Sequence, residues 1–478
     1  MSFNLPKNPN IQDIHDLYLT CQTTVKDVVD YFYDKIRDVD SNIRSTARLN
    51  RDTAYDLARV CDSFLTGKNE GEVYDLIKTK PLFGIPFAMK DNISVSGELM
   101  TAQSKILEGY KSTYSADIYN LLIEAGAVLI AQTNMDEFAF GSSTEFSGFG
   151  QITHNPHDIS RVAGGTSGGS AAMVASGQIP FAIGTDTGGS IRQPASFCGV
   201  YGVRPTYGTV SRFGIVASTS SFDQAGPIAN TLEDTKLILD TLQQKSTNDQ
   251  TSVAIDKNLK NSKKPIIGIP KEYFGEGLSE KTKQIFEAKI SQLKAVYEIK
   301  EVELPTTKHA LSVYYILQTV EAAANLERYD GVRYGKQSSE NGLYFSTRES
   351  YFGDEAKRRI MLGTYTSSAG YYDAYYNKDC QVRELIRRDF DRVFEEVDVL
   401  LMPASPFPAF KIGQNSHDPM AMYLADIMTV SHPIAKIPGL AVPLGLMNYE
   451  GSQLPVGAQL VSKEFGEGVL FEVASQMI

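Results

Sequence analysis

The chain has 478 residues, of which 42% are hydrophobic and 22% charged, the balance of a folded globular protein rather than a disordered or fibrous one. Its formal charge of −11 argues against a protein that grips nucleic acid unaided, because phosphate contacts call for a net basic face; the short basic run Lys357-Arg358-Arg359 is a local departure. No apolar run reaches the roughly 18–20 residues of a membrane helix, and MSFNLPKNPNIQDIHD lacks the layout of a secretory signal, so no membrane contact and a cytoplasmic location are expected.

From about residue 10 to 65, apolar positions recur every three or four residues, as in Val25, Val28, Val29, Phe32 and Ile36. This spacing predicts helices, with Thr24 or Thr23 as an N-cap. The character changes at Pro81. PLFGIPFAM is an apolar run with turn residues inside it, and AVLIAQTN at 127–134 reads as a buried strand after a helix. Residues 163–226 are dense in Gly, Ser and Thr around AAMVASG and IPFAIGTD, which predicts a loop, a short helix, a strand and a second loop. The polar stretch at 243–264 reads as a surface connection. VDVLLMP, GLAVPLGL and VGAQLVS read as closing strands. The predicted organisation is one α/β domain over 1–478, with an N-terminal helical segment to about 70, a catalytic core at about 80–242, a mostly helical insertion at about 266–395 and closing strands from about 396. Cys21, Cys61, Cys198 and Cys380 form no CxxC pair and read as free thiols. His154 and His157 flank a turn with no carboxylate or Cys cluster to complete a metal site.

Three elements carry candidate chemistry. Lys90 ends an apolar run, and burial lowers a lysine's pKa until it can accept a proton at neutral pH; the alternative is a strand-end lysine that snorkels to water or pairs with Asp91. The stretch Gly164–Ser170 offers backbone N–H groups and hydroxyls to an oxyanion, or is a plain flexible loop. The third is Gly184–Pro194, an apolar strand feeding a Gly-Gly turn. It holds Ser190 forward as a nucleophile, with the N–H groups of Thr187, Gly188 and Gly189 as an oxyanion hole. Read blandly, it is a turn bearing a surface serine. Asp186 and Arg192 read as an ion pair bracing the turn.

Together KDNIS at 90–94, GGTSGGSAAMVASG at 164–177 and GTDTGGSIRQPA at 184–195 resemble the amidase signature family. The resemblance implies a central mixed β-sheet wrapped by helices and amide hydrolysis through an acyl-enzyme, with Ser190 as nucleophile, Lys90 as terminal base and Thr166 as the middle hydroxyl. The usual family pattern has serine at that position, and Ser167 next door offers the same chemistry. A finer likeness, in stretches such as NMDEFAFGSSTE, KRRIMLGTY and MYLAD, is to the glutamine-hydrolysing branch of the tRNA-dependent amidotransferases. It implies glutamine as substrate, its amino-acid end held by Tyr314, Arg359 and Asp426. It further implies subunits B and C as partners in a heterotrimer, with Glu-tRNA(Gln) held mainly by the partner. No cofactor or metal is expected in this chain; ATP and magnesium belong to the partner.

Three other readings stay open at this stage. One is a free-standing amidase of the same family. Another is an α/β-hydrolase using Ser167 with Asp426 and His432, since residues 165–169 also fit G-x-S-x-G. The third is a non-enzymatic scaffold, motivated by threonine at position 166.

Overall fold

The computed structural model describes residues 5–20, 23–255, 263–275, 277–339 and 343–477. Its strands are β1 (Thr46–Leu49), β2 (Pro86–Lys90), β3 (Val128–Thr133), β4 (His154–Asn155), β5 (Asp158–Val162), β6 (Phe181–Asp186), β7 (Tyr201–Arg204), β8 (Gln224–Ala229), β9 (Ile266–Pro270), β10 (Glu298–Val302), β11 (Val399–Pro403), β12 (Gly439–Tyr449) and β13 (Ser452–Ser462). Eleven of them form one mixed sheet in the order β1-β3-β2-β6-β8-β7-β12-β13-β11-β9-β10, with helices packed on it; β4 and β5 pair as a separate ribbon.

Every residue of β2, β3, β6 and β8 is buried, as continuous apolar runs covered on both faces should be. Parallel pairing of β2 with β3 and β6 sets Lys90 opposite Thr133 at one end of the sheet. The sequence chemistry emerges at that end. Thr24 caps the Val25–Ile43 helix in a reciprocal capping box with Asp27, which explains why the helix starts there.

Two expectations need correction. The N-terminal segment is not wholly helical, because β1 interrupts it and pairs antiparallel with β3. The segment expected as a mostly helical insertion is mostly helical, but it is no mere insertion, because its β9 and β10, separated by the helix Glu280–Lys294, extend the same sheet. Four- and five-residue strands are too short to show a period of two, and the charged EIKEV of β10 suits an edge. Residues 243–255 do not simply cross the surface: Gln243 is buried, and Ser246 and Asn248 donate to the Asp117 carboxylate. Residues 256–262 of that connection, like Cys21, lie outside the described residues. Cys61, Cys198 and Cys380 are free. Among the described residues no helix is long and apolar enough to cross a membrane, and no His, Cys, Asp and Glu cluster could hold a metal.

Candidate active site

The side chain of Lys90 is completely buried. Its Nζ lies 2.6 Å from Thr166 Oγ1, 2.9 Å from Ser167 Oγ and 2.9 Å from Thr185 Oγ1, at the end of β6. No ion-pair partner for it exists among the described residues. Asp91, the candidate local partner, faces Arg48 and Thr101 instead. Burial therefore dominates and lowers the ammonium to about 7, against the more distant pull of Asp136, Asp186 and Asp223.

The two candidate hydroxyls have different commitments. Ser167 donates to the Thr185 carbonyl (2.9 Å) and accepts from the Thr185 N–H (3.2 Å), so its proton is tied to β6. Thr166 Oγ1 has Lys90 as its hydrogen-bond partner among the described residues. A neutral amine has two N–H groups and one lone pair. Ser167, its own proton held by the Thr185 carbonyl, can only accept an N–H, which leaves the lone pair for a hydroxyl that is still free to donate: Thr166, the nearer at 2.6 Å, or Thr185 at 2.9 Å.

The turn after β6 presents Ser190 half-buried, its Oγ without a partner among the described residues, and the Ser190 carbonyl accepts from the Ser167 N–H at 3.3 Å. Asp186 organises the turn. Its carboxylate receives the N–H groups of Gly189 (3.0 Å) and Ile191 (3.2 Å) and the Arg192 guanidinium (3.0 Å). Burial opposes this charge, but Arg192 and Arg204 outweigh it and hold the carboxyl below its usual range. Arg192 in turn reaches the Thr429 carbonyl and Gln459, which fastens the turn to the closing strands. This corrects the expected oxyanion hole: the Gly189 N–H is spent on Asp186, whereas those of Thr187, Gly188 and Ser190 have no acceptor among the described residues. Gly189 is needed for another reason. Its φ is +140°, and a Cβ there would lie 2.2 Å from Thr429 Oγ1.

Of the three residues expected at the amino-acid end, Tyr314 on the helix Ala310–Leu326 meets this turn at Gly188 and Asp426 meets Gln193 just after it, while Arg359 on the helix Asp354–Thr366 joins them through the Tyr315 ring. Tyr314 is buried with its ring tip against Gly188, where a Cβ would meet Cζ at 2.6 Å. Asp426 is buried, accepts from Ser142 Oγ (2.6 Å), Tyr315 Oη (2.9 Å) and Gln193 Nε2 (3.3 Å), and is raised to about 6 chiefly by burial. Arg359 donates through Nε to Glu355 (2.8 Å) and lies 5.1–5.6 Å from the ring centroids of Phe140, Tyr315 and Tyr423. Burial disfavours its charge, yet Glu355 more than compensates and holds the guanidinium firmly protonated. Arg358 also pairs with Glu355, so one carboxylate faces two arginines of the basic run. A cavity of about 450 Å³ opens beside Arg359, lined among others by Glu145, Glu355, His417 and Tyr423; Ser190 is not part of its lining.

Sequence reasoning missed Tyr315, Ser142, Gln193 and Glu355. Ser142 and Gln193 lie inside stretches already singled out, so position was available as a signal, but contact with Asp426 was not. The alternative with Ser167, Asp426 and His432 fails on geometry. Ser167 is bonded to Lys90 and Thr185, Asp426 to Ser142 and Tyr315, and His432 packs its Nε2 on Arg192.

A family model described as Amidase matches residues 27–471. The A-type subunit of the glutamyl-tRNA(Gln) amidotransferase of Geobacillus sp. (strain WCH70) is 46% identical, over 97% of this chain and 95% of its own. Its counterpart in Carboxydothermus hydrogenoformans is 47% identical over 92% and 91%. Among solved structures, the corresponding protein of Thermotoga maritima is 33% identical with a TM-score of 0.75, over 96% of this chain and 94% of that one.

Proposed function

The chain belongs to the amidase family, and on that premise we propose that it hydrolyses the side-chain amide of glutamine as the A-type component of a tRNA-dependent amidotransferase. The carrying observation is Lys90, buried with no ion-pair partner among the described residues and 2.6 Å from Thr166 Oγ1, beside the turn that presents Ser190. The amidotransferase subunits named above support the choice of substrate.

In this reading Arg359 receives the α-carboxylate and Asp426 the α-ammonium, while Tyr314 closes the site against Gly188. Neutral Lys90 takes a proton through Thr166 as Ser190 Oγ attacks the carboxamide carbon. The oxyanion is met by the uncommitted N–H groups of the turn, Thr187 and Gly188 foremost. The proton returns along the relay to the amide nitrogen, the C–N bond breaks, and ammonia leaves. Water attacks the glutamyl ester with the same relay as base, which releases glutamate and regenerates Ser190.

The ammonia serves a second site on a partner, where ATP and magnesium activate the glutamate of Glu-tRNA(Gln). Subunits B and C complete a cytoplasmic heterotrimer in this proposal. Mass spectrometry after mixing the protein with glutamine tests it: a glutamyl adduct on Ser190 is expected. Turnover of simple aliphatic amides without any adduct from glutamine would instead favour a free-standing amidase.

A further inference from the structure

The stretch Asp136–Phe146 touches Arg359, Asp426 and the backbone just before Thr166 without holding a proposed catalytic residue. Phe138, Ala139 and Thr144 all have positive φ (51°, 61° and 61°), which costs backbone strain in residues that carry a Cβ. Asp136 closes the loop over this strain by accepting from the N–H groups of Thr144 (3.0 Å) and Phe146 (2.8 Å). The loop then spends its outward groups on the site. Phe140 lies against Arg359, Ser142 Oγ donates to Asp426, and Thr144 Oγ1 donates to the Gly165 carbonyl at 2.7 Å, next to Thr166.

Glu137 completes the pattern. It is 3% exposed, and its carboxylate receives Ser104 Oγ and the N–H of Gly353 (2.9 and 3.1 Å). Gly353 is the N-cap of the Asp354–Thr366 helix, which has no side-chain cap of its own. A carboxylate from elsewhere in the chain therefore caps the helix that carries Arg359 and meets its positive dipole end. The fit is close: a Cβ at Gly353, whose φ of −73° any residue adopts, would lie 2.3 Å from Glu137 Oε2. Loss of hydration pushes the Glu137 carboxyl up to about 7, a cost this placement imposes on the fold.

We infer that Glu137 is a positioning residue: by capping the Asp354–Thr366 helix it places Arg359 in register with Asp426, and so sets affinity for the amino-acid end of the substrate. This rests on the glutamine reading above.

The experiment uses the full chain. In a Ser190→Ala background, calorimetry with glutamine should show Glu137→Ala binding about tenfold more weakly and Glu137→Gln, which keeps an acceptor, within about threefold of the parent. Gly353→Ala, which crowds the same carboxylate while leaving it present, should weaken binding in the same direction and carries the test if Glu137→Ala does not fold. With Ser190 restored, phenylmethylsulfonyl fluoride should label that serine in the Glu137→Ala protein at the parental rate, because Lys90 and Thr166 are untouched. Unchanged glutamine affinity in both the Glu137→Ala and Gly353→Ala proteins, or labelling slowed as much as binding is weakened, overturns the inference. If the Ser190→Ala parent binds no glutamine, the proposed function falls and this inference with it.

Discussion

Lys90 Nζ lies 2.6 Å from Thr166 Oγ1 in a fully buried setting, whereas the adjacent Ser167 hydroxyl, 2.9 Å from the same nitrogen, has already given its proton to the Thr185 carbonyl. Ser167 is thereby committed to β6, whereas Thr166 Oγ1 has Lys90 as its partner among the described residues.

Thr166→Ser should retain activity, since serine offers the same donor and acceptor with freer rotation. Thr166→Val, nearly isosteric without the hydroxyl, should lose roughly 10²–10⁴-fold in kcat. Ser167→Ala should act on stability instead, costing about 1–3 kcal/mol in urea unfolding by stranding groups of Thr185. A tolerated Val at 166 together with a collapse of kcat in Ser167→Ala would reassign the relay to Ser167.

Ser190→Ala should abolish glutamine-dependent turnover and leave the melting temperature unchanged, because the Oγ has no hydrogen-bond partner to lose among the described residues. In the assembled enzyme, ammonium salts should still drive amidation. Residual glutaminase activity in the alanine protein would place the nucleophile elsewhere.

In the proposed mechanism Lys90 acts as the neutral amine, and burial brings its ammonium down to about 7. Below that value the base is occupied; above it the relay is open. The kcat profile should therefore rise with pH, with a midpoint near 7. Lys90→Arg should be inactive at every pH, since a guanidinium does not give up its proton. Full activity in the arginine variant would show that only positive charge is required.

Asp426 must be ionised to hold an α-ammonium, and burial has raised it to about 6. The KM for glutamine should fall as pH rises through that value. Asp426→Asn should raise KM roughly 10–100-fold, the range of a lost charge-assisted hydrogen bond. The stability effect has the opposite sign. Between the unfolded carboxyl value of about 4 and the folded one, the native state binds more protons, so stability declines as pH rises through that window. At pH 7 the asparagine variant should melt no lower than the parent, and a large drop would show that the carboxylate braces the fold.

Asp186→Asn should unfold more easily by about 3–5 kcal/mol, because Arg192 and Arg204 would be left buried without their counter-charge. Equilibrium denaturation by urea measures this directly. A near-wild-type midpoint would mean that Thr429 and Gln459 suffice to hold Arg192.

The sequence by itself marked the candidate reacting groups, because each stands among contiguous neighbours that single it out. An apolar run delivers Lys90 into the core, a Gly-Gly turn after a buried strand projects Ser190, and a hydroxyl-rich loop precedes a short helix. The bracing of Asp186 by Arg192 was legible for the same reason, the two being close along the chain across one turn. What the hydroxyls and amides do was decided only by tertiary structure. Thr166 and Ser167 both face the lysine, and the bonds of Ser167 to Thr185 in β6 are what tell them apart, while the turn folds the Gly189 N–H onto Asp186. Tyr315 could not be told from Tyr314 locally, since neighbours on a helix differ only in the direction the fold gives them; one meets Asp426 and the other Gly188. Ser142 meets Asp426, and Glu137 meets Gly353, across more than two hundred residues of chain. Hydrogen bonds are short and directional, so a pairing across such separations exists only once the sheet has set both ends in place.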